Sequence, residues 1–238
     1  MPPKVKLLPQ FDPSVNYALY LIRNRLLEAL RRHAPRFSGR LLDFGCGIKP
    51  YESLFNVSEY IGVDYAGEGE TYTKERADFL YDGKTLPFPD NHFDGIFTTE
   101  VVEHIFNLEA IVPELHRVLR AGGELLLTCP FAMPEHEVPS DYARYTSFAI
   151  QDLFVRNGFT VLHYEKTGNF VEAIYQLWLI WLDQGLLHRV RKVPVLRTIL
   201  RTIVYCSINI NAIIWSKLFP RNKNLYLNNV ILLQKPKA

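Results

Sequence analysis

Two glycines and two carboxylates in the first third of the chain have the types and spacing of a nucleotide-binding turn. Residues 41–51 read LLDFGCGIKPY, an apolar run that ends in Asp43 and breaks into Gly45 and Gly47. Glycine permits positive φ and lets a ligand approach the backbone N–H groups. Asp64 ends the next apolar run, where a carboxylate can accept hydrogen bonds from ribose hydroxyls. The pattern predicts a nucleoside site, with a simple tight turn and a solvated acid as the alternatives.

The residues after this turn narrow the choice of ligand. In the dinucleotide fingerprint G-x-G-x-x-G, the third glycine permits tight helix packing under a pyrophosphate. Here Lys49 precedes Pro50 at that position, and proline has no N–H to donate to an anion. The turn therefore suits a ligand that has no pyrophosphate.

Four short apolar runs, RLLDF, EYIGVDY, FDGIFTT and GELLLTCPF, predict buried strands that alternate with helical stretches. Strands that are apolar throughout are typical of a parallel sheet covered on both faces. Two further strands are predicted in FTVLHYE and in LYLNNVILLQKP. We expect a doubly wound α/β fold. Three helices are also predicted. The first covers 14–34, with Ser14 as N-cap, and the second covers 108–123 and ends at Gly122 and Gly123. The third covers 147–159, with Thr146 or Ser147 as N-cap and Gly158 at its end.

Charge divides the chain near residue 170. Residues 1–172 carry 17 Lys and Arg against 24 Asp and Glu, whereas 173–238 carry 10 against one. The segment 169–219 reads as an insertion between two strands, with apolar stripes, all three tryptophans and interspersed basic residues. Such stripes fit helices in a membrane interface, or a lid or homodimer surface, and both interpretations stay open. The basic residues in these stripes are Arg189, Arg191, Lys192, Arg197 and Arg201.

These features also bound the domains, partners and location. We expect a main domain of residues 1–168 and 220–238, with 169–219 as a separate helical element. The longest uncharged run, 202–216, is shorter than the roughly 20 residues of a spanning helix. Nucleic acid is not expected, because the basic residues lie among aliphatic ones. Three cysteines and an opening without an export signal indicate a cytoplasmic protein, with membrane association through 169–219 left open.

Several motifs in order give the chain a family resemblance. The Asp-x-Gly-x-Gly turn is followed by LPFPDNHFD at 86–94 and by RVLRAGG at 117–123. Over residues 40–165 the sequence resembles the class I S-adenosylmethionine-dependent methyltransferases, in particular the group that acts on small molecules. The resemblance implies a Rossmann-like, mostly parallel seven-stranded sheet with a helical insertion before the last strand. It also implies S-adenosylmethionine as the cofactor.

The resemblance further implies a role for each matching position. The methionine end of the cofactor would contact Asp43, Gly45, Cys46 and Gly47, and the ribose would contact Asp64 and Tyr65. The adenine would contact Asp82 and Gly83, with Asp78 as the alternative acid. The methyl end would lie at Thr99 and Glu100.

Candidates for catalysis lie beyond the third and fourth predicted strands. The loop EHEVPSDYARYT at 135–146 contains His136, our first choice as general base. One turn of helix would bring together Asp141, Arg144 and Tyr145, which stand at i, i+3 and i+4. His104 is the second choice. Glu137 or Asp141 would orient the base, and Tyr142 and Tyr145 would contact the acceptor.

Each of these candidates has a structural alternative. The loop at 135–146 fits a salt-bridged surface loop, and His104 fits a histidine that bonds the backbone. No metal site is predicted, because the histidines show no paired ligand spacing. The sequence predicts in-line methyl transfer to an oxygen of a small or lipid-like acceptor. The rival hypothesis is a non-catalytic cofactor-binding or membrane-associated scaffold protein.

Overall fold

The computed structural model describes residues 7–66, 76–187 and 194–237. Within these ranges, one sheet of seven strands is flanked by five α-helices. The strands are β1 (Arg40–Phe44), β2 (Glu59–Tyr65), β3 (Phe79–Tyr81), β4 (Phe93–Thr99), β5 (Leu119–Pro130), β6 (Thr160–Lys166) and β7 (Asn228–Gln234). The helices are α1 (Tyr20–His33), α2 (Leu108–Val118), α3 (Ser147–Val155), α4 (Phe170–Trp181) and α5 (Pro194–Leu218).

The strand order is β3-β2-β1-β4-β5-β7-β6. Pairing is parallel from β3 to β5, and β7 is antiparallel to both of its neighbours, β5 and β6. The predicted α/β fold with a mostly parallel seven-stranded sheet is confirmed. The chain leaves β1 toward β2 on one side and returns to β4 on the other. Ligands bind at such a switch point, outside the carboxyl ends of the strands.

The apolar strands bury side chains on both faces of the sheet. In β1, Leu41 packs in the core that includes Leu30 of α1, whereas Leu42 packs in the core that includes Ile111 of α2. Successive side chains of a strand point to opposite faces, so a run that is apolar throughout serves both cores. The helices thereby hold the carboxyl ends of β1, β2 and β4 in fixed positions.

Two predicted helix boundaries are wrong. The first helix begins at Tyr20, and Ser14 donates to the side chain of Asn16 instead of capping it. The helix predicted to run to residue 123 ends at Val118, because Leu119 is already extended and begins β5. By contrast, the predicted cap at Thr146 is confirmed, since its hydroxyl accepts from the N–H of Ala149 at 3.3 Å.

The inserted helices, α4 and α5, lie between β6 and β7. Within the described residues, α5 is the one helix long and apolar enough to cross a membrane, and only 22% of its most apolar window is buried. The helix is longer than the uncharged run of 202–216, which the sequence analysis compared with the length of a membrane-spanning helix. Arg189, Arg191 and Lys192 fall outside the described residues. The division of domains at 168 and 220 stays a prediction.

Buried polar side chains fix the inserted helices to α1 and the segment before it. Gln176 of α4 and Asn209 of α5 make four hydrogen bonds of 2.8–3.2 Å to the backbone of residues 15–22. Arg25 of α1 donates twice to the carboxylate of Glu172, which is buried. Because unpaired buried polar groups are costly, these contacts specify one position for the insertion.

Asn209→Ala is expected to lower the free energy of unfolding by about 1–3 kcal/mol, because the carbonyls of Val15 and Tyr17 lose the donor that the buried Asn209 amide provides. Asn211→Ala is the matched control on the same helix: its exposed amide bonds only Ser207 one turn earlier, so we expect a change within about 0.5 kcal/mol. Urea denaturation of both variants measures the difference. Equal losses would contradict the proposed anchoring.

Candidate active site

The turn after β1 is tied to the end of β2 by backbone hydrogen bonds. The N–H groups of Gly45 and Cys46 donate to the carbonyl of Val63 at 2.9 and 3.2 Å. Gly45 has φ of 72°, and a Cβ there would lie 2.5 Å from the side chain of Val101. Both observations require glycine at this position. The turn and the segment after β4 are therefore in direct contact.

Asp64 lies at the carboxyl end of β2, facing the turn. Its carboxylate accepts from the N–H of Gly47 and from the N–H of Tyr65, both at 2.8 Å. The ring of Tyr65 covers Gly83, where a Cβ would lie 2.8 Å from the ring. The structure thus brings together Gly47, Asp64, Tyr65 and Gly83, four of the implied cofactor residues.

Asp43 lies beneath this surface. Its carboxyl group is 2% exposed and accepts a hydrogen bond of 2.7 Å from the hydroxyl of Tyr60. Burial raises the pKa of Asp43 to about 7, against the opposing effects of the Tyr60 hydrogen bond and the Lys49 charge. In this position Asp43 supports the turn from below. A direct contact with the cofactor stays a prediction.

The two claimants for the adenine end differ in their environment. Asp82 is exposed and accepts from the N–H groups of Lys84 and Thr85, which lowers its pKa. Asp78 forms an ion pair with Lys49 and accepts from the N–H of Gly62 at 2.7 Å. Asp78 is therefore engaged in holding the turn to β2, whereas Asp82 has carboxylate oxygens that face solvent.

Lys49, which precedes Pro50 in the turn, has a structural role. It adopts φ of 53°, and its side chain crosses β2 to reach Asp78. A Cβ at Gly62 would lie 2.4 Å from Cε of Lys49, so this crossing needs glycine in the strand. The Lys49 side chain thus ties the turn to Asp78 across β2.

Glu100 follows β4 in the left-handed region, with φ of 54°. Its carboxylate accepts from Thr128 Oγ1 at 2.9 Å and from Asn228 Nδ2 at 2.8 Å. The hydroxyl of Thr99 lies 2.7 Å from that of Thr128. Burial raises the pKa of Glu100, although the charge of Arg23 opposes this shift. The implied methyl end of the site is therefore a fixed and largely desolvated network.

Glu103 follows in a short 3-10 turn, Val102–His104. Its side chain is fully buried, and neither carboxylate oxygen has a hydrogen-bond partner among the described residues. Burial and the charge of Glu100 raise the pKa of Glu103 well above its ordinary value. A buried carboxyl group without a partner is costly, which marks this position for a function.

The two predicted catalytic histidines lie together beside Glu103. The rings of His104 and His136 meet edge to face, with centroids 4.9 Å apart. His104 Nδ1 lies 2.6 Å from the carbonyl oxygen of Ser140, so the backbone bond weighed as an alternative is also present. His104 Nε2 lies 3.8 Å from Glu103 and 3.6 Å from Glu137.

Asp141 contacts His136, and its role as the residue that orients a base stays a prediction. Its carboxylate accepts from the backbone N–H of His136 at 2.9 Å and lies 3.1 Å from Nδ1 of the ring. Burial lowers the pKa of His136, which favours the neutral ring. Two hydrogen bonds of 2.6 Å from Arg144 hold Asp141, whose pKa falls to about 2. The helical turn predicted for these residues is wrong, because the loop is irregular, but the ion pair forms.

The two tyrosines of the loop differ in position. Tyr145 is partly buried against the core, and its carbonyl accepts from Asn229 Nδ2 at 3.0 Å. Tyr142 is exposed and packs on the ring of Phe106. Neither phenol lies in a hydrogen bond to His104 or His136 among the described contacts, so their roles toward an acceptor stay predictions.

Three residues of the site were missed from the sequence. Arg23 of α1 lies close enough to Glu100 and Glu137 for its charge to lower their pKa values. Glu103 stands beside His104 in EVVEHI, three residues after Glu100, and that spacing was a visible signal. Arg23 and Asn228 carry no motif, because only the folded chain brings them to the end of β4.

Comparison with known proteins identifies the domain. The model of the methyltransferase domain family matches residues 42–127, which include the turn, Asp64 and Glu103. The predicted resemblance to the class I S-adenosylmethionine-dependent methyltransferases is confirmed over these residues. S-adenosylmethionine is the cofactor of this class.

Two relatives place this domain among longer proteins. The uncharacterized protein MJ1123 of Methanocaldococcus jannaschii is 34% identical over 103 residues, 42% of this chain and 48% of that protein. A sterol 24-C-methyltransferase of Pneumocystis carinii is 26% identical over 182 residues, 63% of this chain and 47% of that protein. The chain thus spans about half the length of these curated relatives.

A solved structure supports the fold. The [4+2]-cyclase SpnF superimposes with a TM-score of 0.58 at 17% identity and covers 95% of this chain and 86% of that chain. Because its name denotes a different reaction, the fold alone does not specify the chemistry.

Asp43→Asn is expected to change how stability depends on pH. Between pH 4 and 7 the unfolded wild-type carboxyl ionises while the folded one, with a pKa of about 7, stays neutral. The wild type therefore loses up to about 4 kcal/mol relative to the variant over this window and nothing further above it. Urea denaturation of both proteins at pH 4.5, 6 and 8 measures this difference. Parallel pH profiles would contradict it.

Proposed function

We propose that the protein transfers the methyl group of S-adenosylmethionine to an oxygen atom of a small, lipid-like acceptor. The observation that carries this proposal is the acid–histidine cluster, formed by Glu103, His104 and His136, at the end of β4. It begins two residues after Val101, which contacts Gly45 of the cofactor turn. A proton-accepting group therefore lies next to the implied position of the methyl group.

The surface at the carboxyl ends of β1, β2 and β4 would hold the cofactor. There Asp64 would accept from the ribose hydroxyls, and the backbone of Gly45 and Gly47 would leave room for the methionine end. The sulfonium already activates the methyl group, so the protein mainly aligns the acceptor and excludes water. Alignment can contribute about 7–11 kcal/mol in the best intramolecular systems.

An oxygen acceptor must also lose its proton. The neutral ring of His136, which Asp141 orients, is suited to take that proton as the O–CH₃ bond forms and the S–CH₃ bond breaks. The electron pair of the broken bond stays on sulfur, and S-adenosylhomocysteine is the second product. Transfer to carbon, as in the name of the sterol relative, is the outcome that product analysis by NMR would distinguish.

A cavity of about 330 Å³ supports a lipid-like acceptor. It lies between the loop after β5 and the inserted helices. Its lining combines apolar and aromatic side chains with the ion pair of Asp183 and Arg201, which suits an amphipathic acceptor: Tyr17, Met133, Ile180, Asp183, Gln184, Arg201 and Tyr205. Met133 is also the residue whose carbonyl accepts from Arg144. The cavity therefore adjoins the loop that carries His136. The larger groove, of about 570 Å³, lies at the amino ends of β1 and β2, away from this loop.

Asp64→Ala is expected to weaken S-adenosylmethionine binding by at least about ten-fold, because two hydrogen bonds to ribose are lost. Glu59→Ala is the matched control, at the exposed amino end of the same strand, and should bind like the wild type. Titration calorimetry with S-adenosylmethionine and S-adenosylhomocysteine measures both. No binding of either compound by the wild type would sink the enzyme proposal, and binding without turnover of any acceptor would favour the scaffold hypothesis.

We also propose that the outer face of the inserted helices binds a membrane surface. Large apolar side chains are exposed on both helices, with Trp181 65% and Ile203 61% exposed. Trp178 and Trp215 are also exposed, and tryptophan is favoured where membrane and water meet. Arg197 and Lys217 add positive charge on α5, which attracts anionic lipid.

The double variant Trp181→Ser, Ile203→Asp should no longer float with liposomes that contain phosphatidylserine, whereas Phe106→Asp should float like the wild type. Phe106 is 83% exposed but lies away from the inserted helices, so it controls for general loss of apolar surface. Flotation with and without anionic lipid measures binding. A wild type that floats in neither case and sediments as a dimer would support the dimer interpretation instead.

A further inference from the structure

We propose that the acid–histidine cluster binds a divalent transition-metal ion beside the transferred methyl group. One ligand atom from each of Glu103, His104 and His136 lies within 4.8 Å of the other two. This spacing is what three ligands around one ion of about 2 Å bond length require after small side-chain rotations. The role of the ion rests on the proposed methyl transfer. The binding of the ion does not depend on that function.

Glu103 supplies an independent reason for a ligand. It is fully buried, and its two carboxylate oxygens have no hydrogen-bond partner among the described residues. An isolated buried carboxylate is strongly unfavourable, and pairing or metal coordination removes that penalty. The backbone of Glu103 is fixed, because its carbonyl accepts from the N–H of Tyr142 at 2.8 Å. The backbone is therefore held in place, and the carboxylate lies 3.8 Å from Nε2 of His104 without a hydrogen bond of its own in the described part of the chain.

Hydrogen-bond acceptors orient both imidazoles for coordination. His104 Nδ1 lies 2.6 Å from the carbonyl oxygen of Ser140. His136 Nδ1 lies 3.1 Å from the carboxylate of Asp141 and 3.3 Å from the carbonyl of Pro134. At His104, the acceptor at Nδ1 favours the tautomer with hydrogen there, which leaves the lone pair of Nε2 for a metal. At His136, the donor Nη2 of Arg144 also lies 3.1 Å from Nδ1, so coordination through Nε2 requires the ring to bond Asp141 rather than Arg144. Histidine ligands in proteins are held by backbone or carboxylate acceptors in the same way.

The surrounding charges leave the cluster accessible to a cation. Arg144 donates to Asp141 and to the carbonyls of Met133 and Pro134, and its Nη2 also lies 3.1 Å from Nδ1 of His136. Glu137, 3.6 Å from His104 Nε2, adds a second carboxylate at the rim. Glu100 is bonded by Thr128 and Asn228, so it contributes negative charge rather than a ligand. Arg23 of α1 opposes this charge at both Glu100 and Glu137.

The donor set selects the kind of ion. Two imidazole nitrogens and one carboxylate suit zinc, manganese or iron, whereas magnesium and calcium prefer oxygen ligands. Three protein ligands leave a coordination position open, as in catalytic sites. The open position would take an oxygen of the acceptor.

A bound ion would activate that oxygen. It lowers the pKa of a coordinated hydroxyl, so the proton passes to the carboxylate of Glu137 and the imidazoles serve as ligands rather than bases. The resulting oxyanion attacks the methyl carbon, the S–CH₃ bond breaks, and sulfur keeps the electron pair. Metal binding thus replaces the proton transfer to His136 described for the metal-free protein.

A second group of potential ligands, His33, His163 and Glu165, provides the control. Glu165 already accepts two hydrogen bonds from Arg32, at 2.8 and 2.9 Å, and its pKa falls to about 2. This carboxylate has a partner and lies near the surface, so it lacks the unsatisfied state of Glu103. We therefore expect no comparable affinity there.

Titration of the metal-free full chain with ZnCl₂ and MnCl₂ tests the proposal. We expect one equivalent to bind, and His104→Ala and Glu103→Gln each to weaken binding by at least about ten-fold. His163→Ala should leave it unchanged. Cobalt(II) absorption gives a second readout, because loss of an imidazole ligand changes the spectrum of the bound ion.

Binding that is absent from the wild type, unchanged in His104→Ala, or lost in His163→Ala would overturn the proposal. Titration of each variant with S-adenosylhomocysteine verifies that the cofactor site remains folded. The two proposals fail separately: a wild type that binds the cofactor product but no ion refutes the metal site alone. One that binds the ion but neither cofactor nor product refutes the proposed methyl transfer and leaves the metal site standing.

Discussion

The carboxylate of Glu100 joins the ends of three neighbouring strands. It follows β4 and accepts from Thr128 of β5 and from Asn228 of β7. The backbone at Glu100 is in the left-handed region, a conformation that costs free energy in a residue with a side chain. The two hydrogen bonds stabilise that conformation. The direction of the chain after β4 depends on this conformation of Glu100. The position of Val101 against the cofactor turn and the burial of Glu103 therefore depend on it as well.

Two carboxylates are buried close together at the end of β4. Their mutual repulsion is offset by positive charges from other parts of the fold. Glu100 and Glu103 are both desolvated, and each raises the pKa of groups nearby. Arg23 from α1 and Arg144 from the loop after β5 supply opposite charge from two sides. The contacts of Gln176 and Asn209 with residues 15–22 hold the chain leading into α1, which carries Arg23. The inserted helices thereby stabilise the electrostatics of the site from a distance.

Local patterns predicted much of the fold and part of the site. The strands β1, β2 and β4 were predicted because their runs are apolar throughout. The turn after β1 was predicted because the sequence has glycine at 45, where the backbone has positive φ. His104 and His136 were recognised as separate candidates, and their contact is a result of the fold. By contrast, β3 is a short edge strand whose Phe79 and Leu80 are exposed, so it has no buried pattern. Arg23 and Asn228 reach the site through packing between distant elements, which no local spacing records.

The central claim is that the end of β4 faces the sulfur of the bound cofactor. A crystal structure with S-adenosylhomocysteine, grown with manganese, tests this most directly. The account predicts the ribose on Asp64, the sulfur beside residues 99–101, and an anomalous peak bounded by Glu103, His104 and His136. A cofactor bound at the amino ends of β1 and β2, or a sulfur directed away from Glu100, would contradict it.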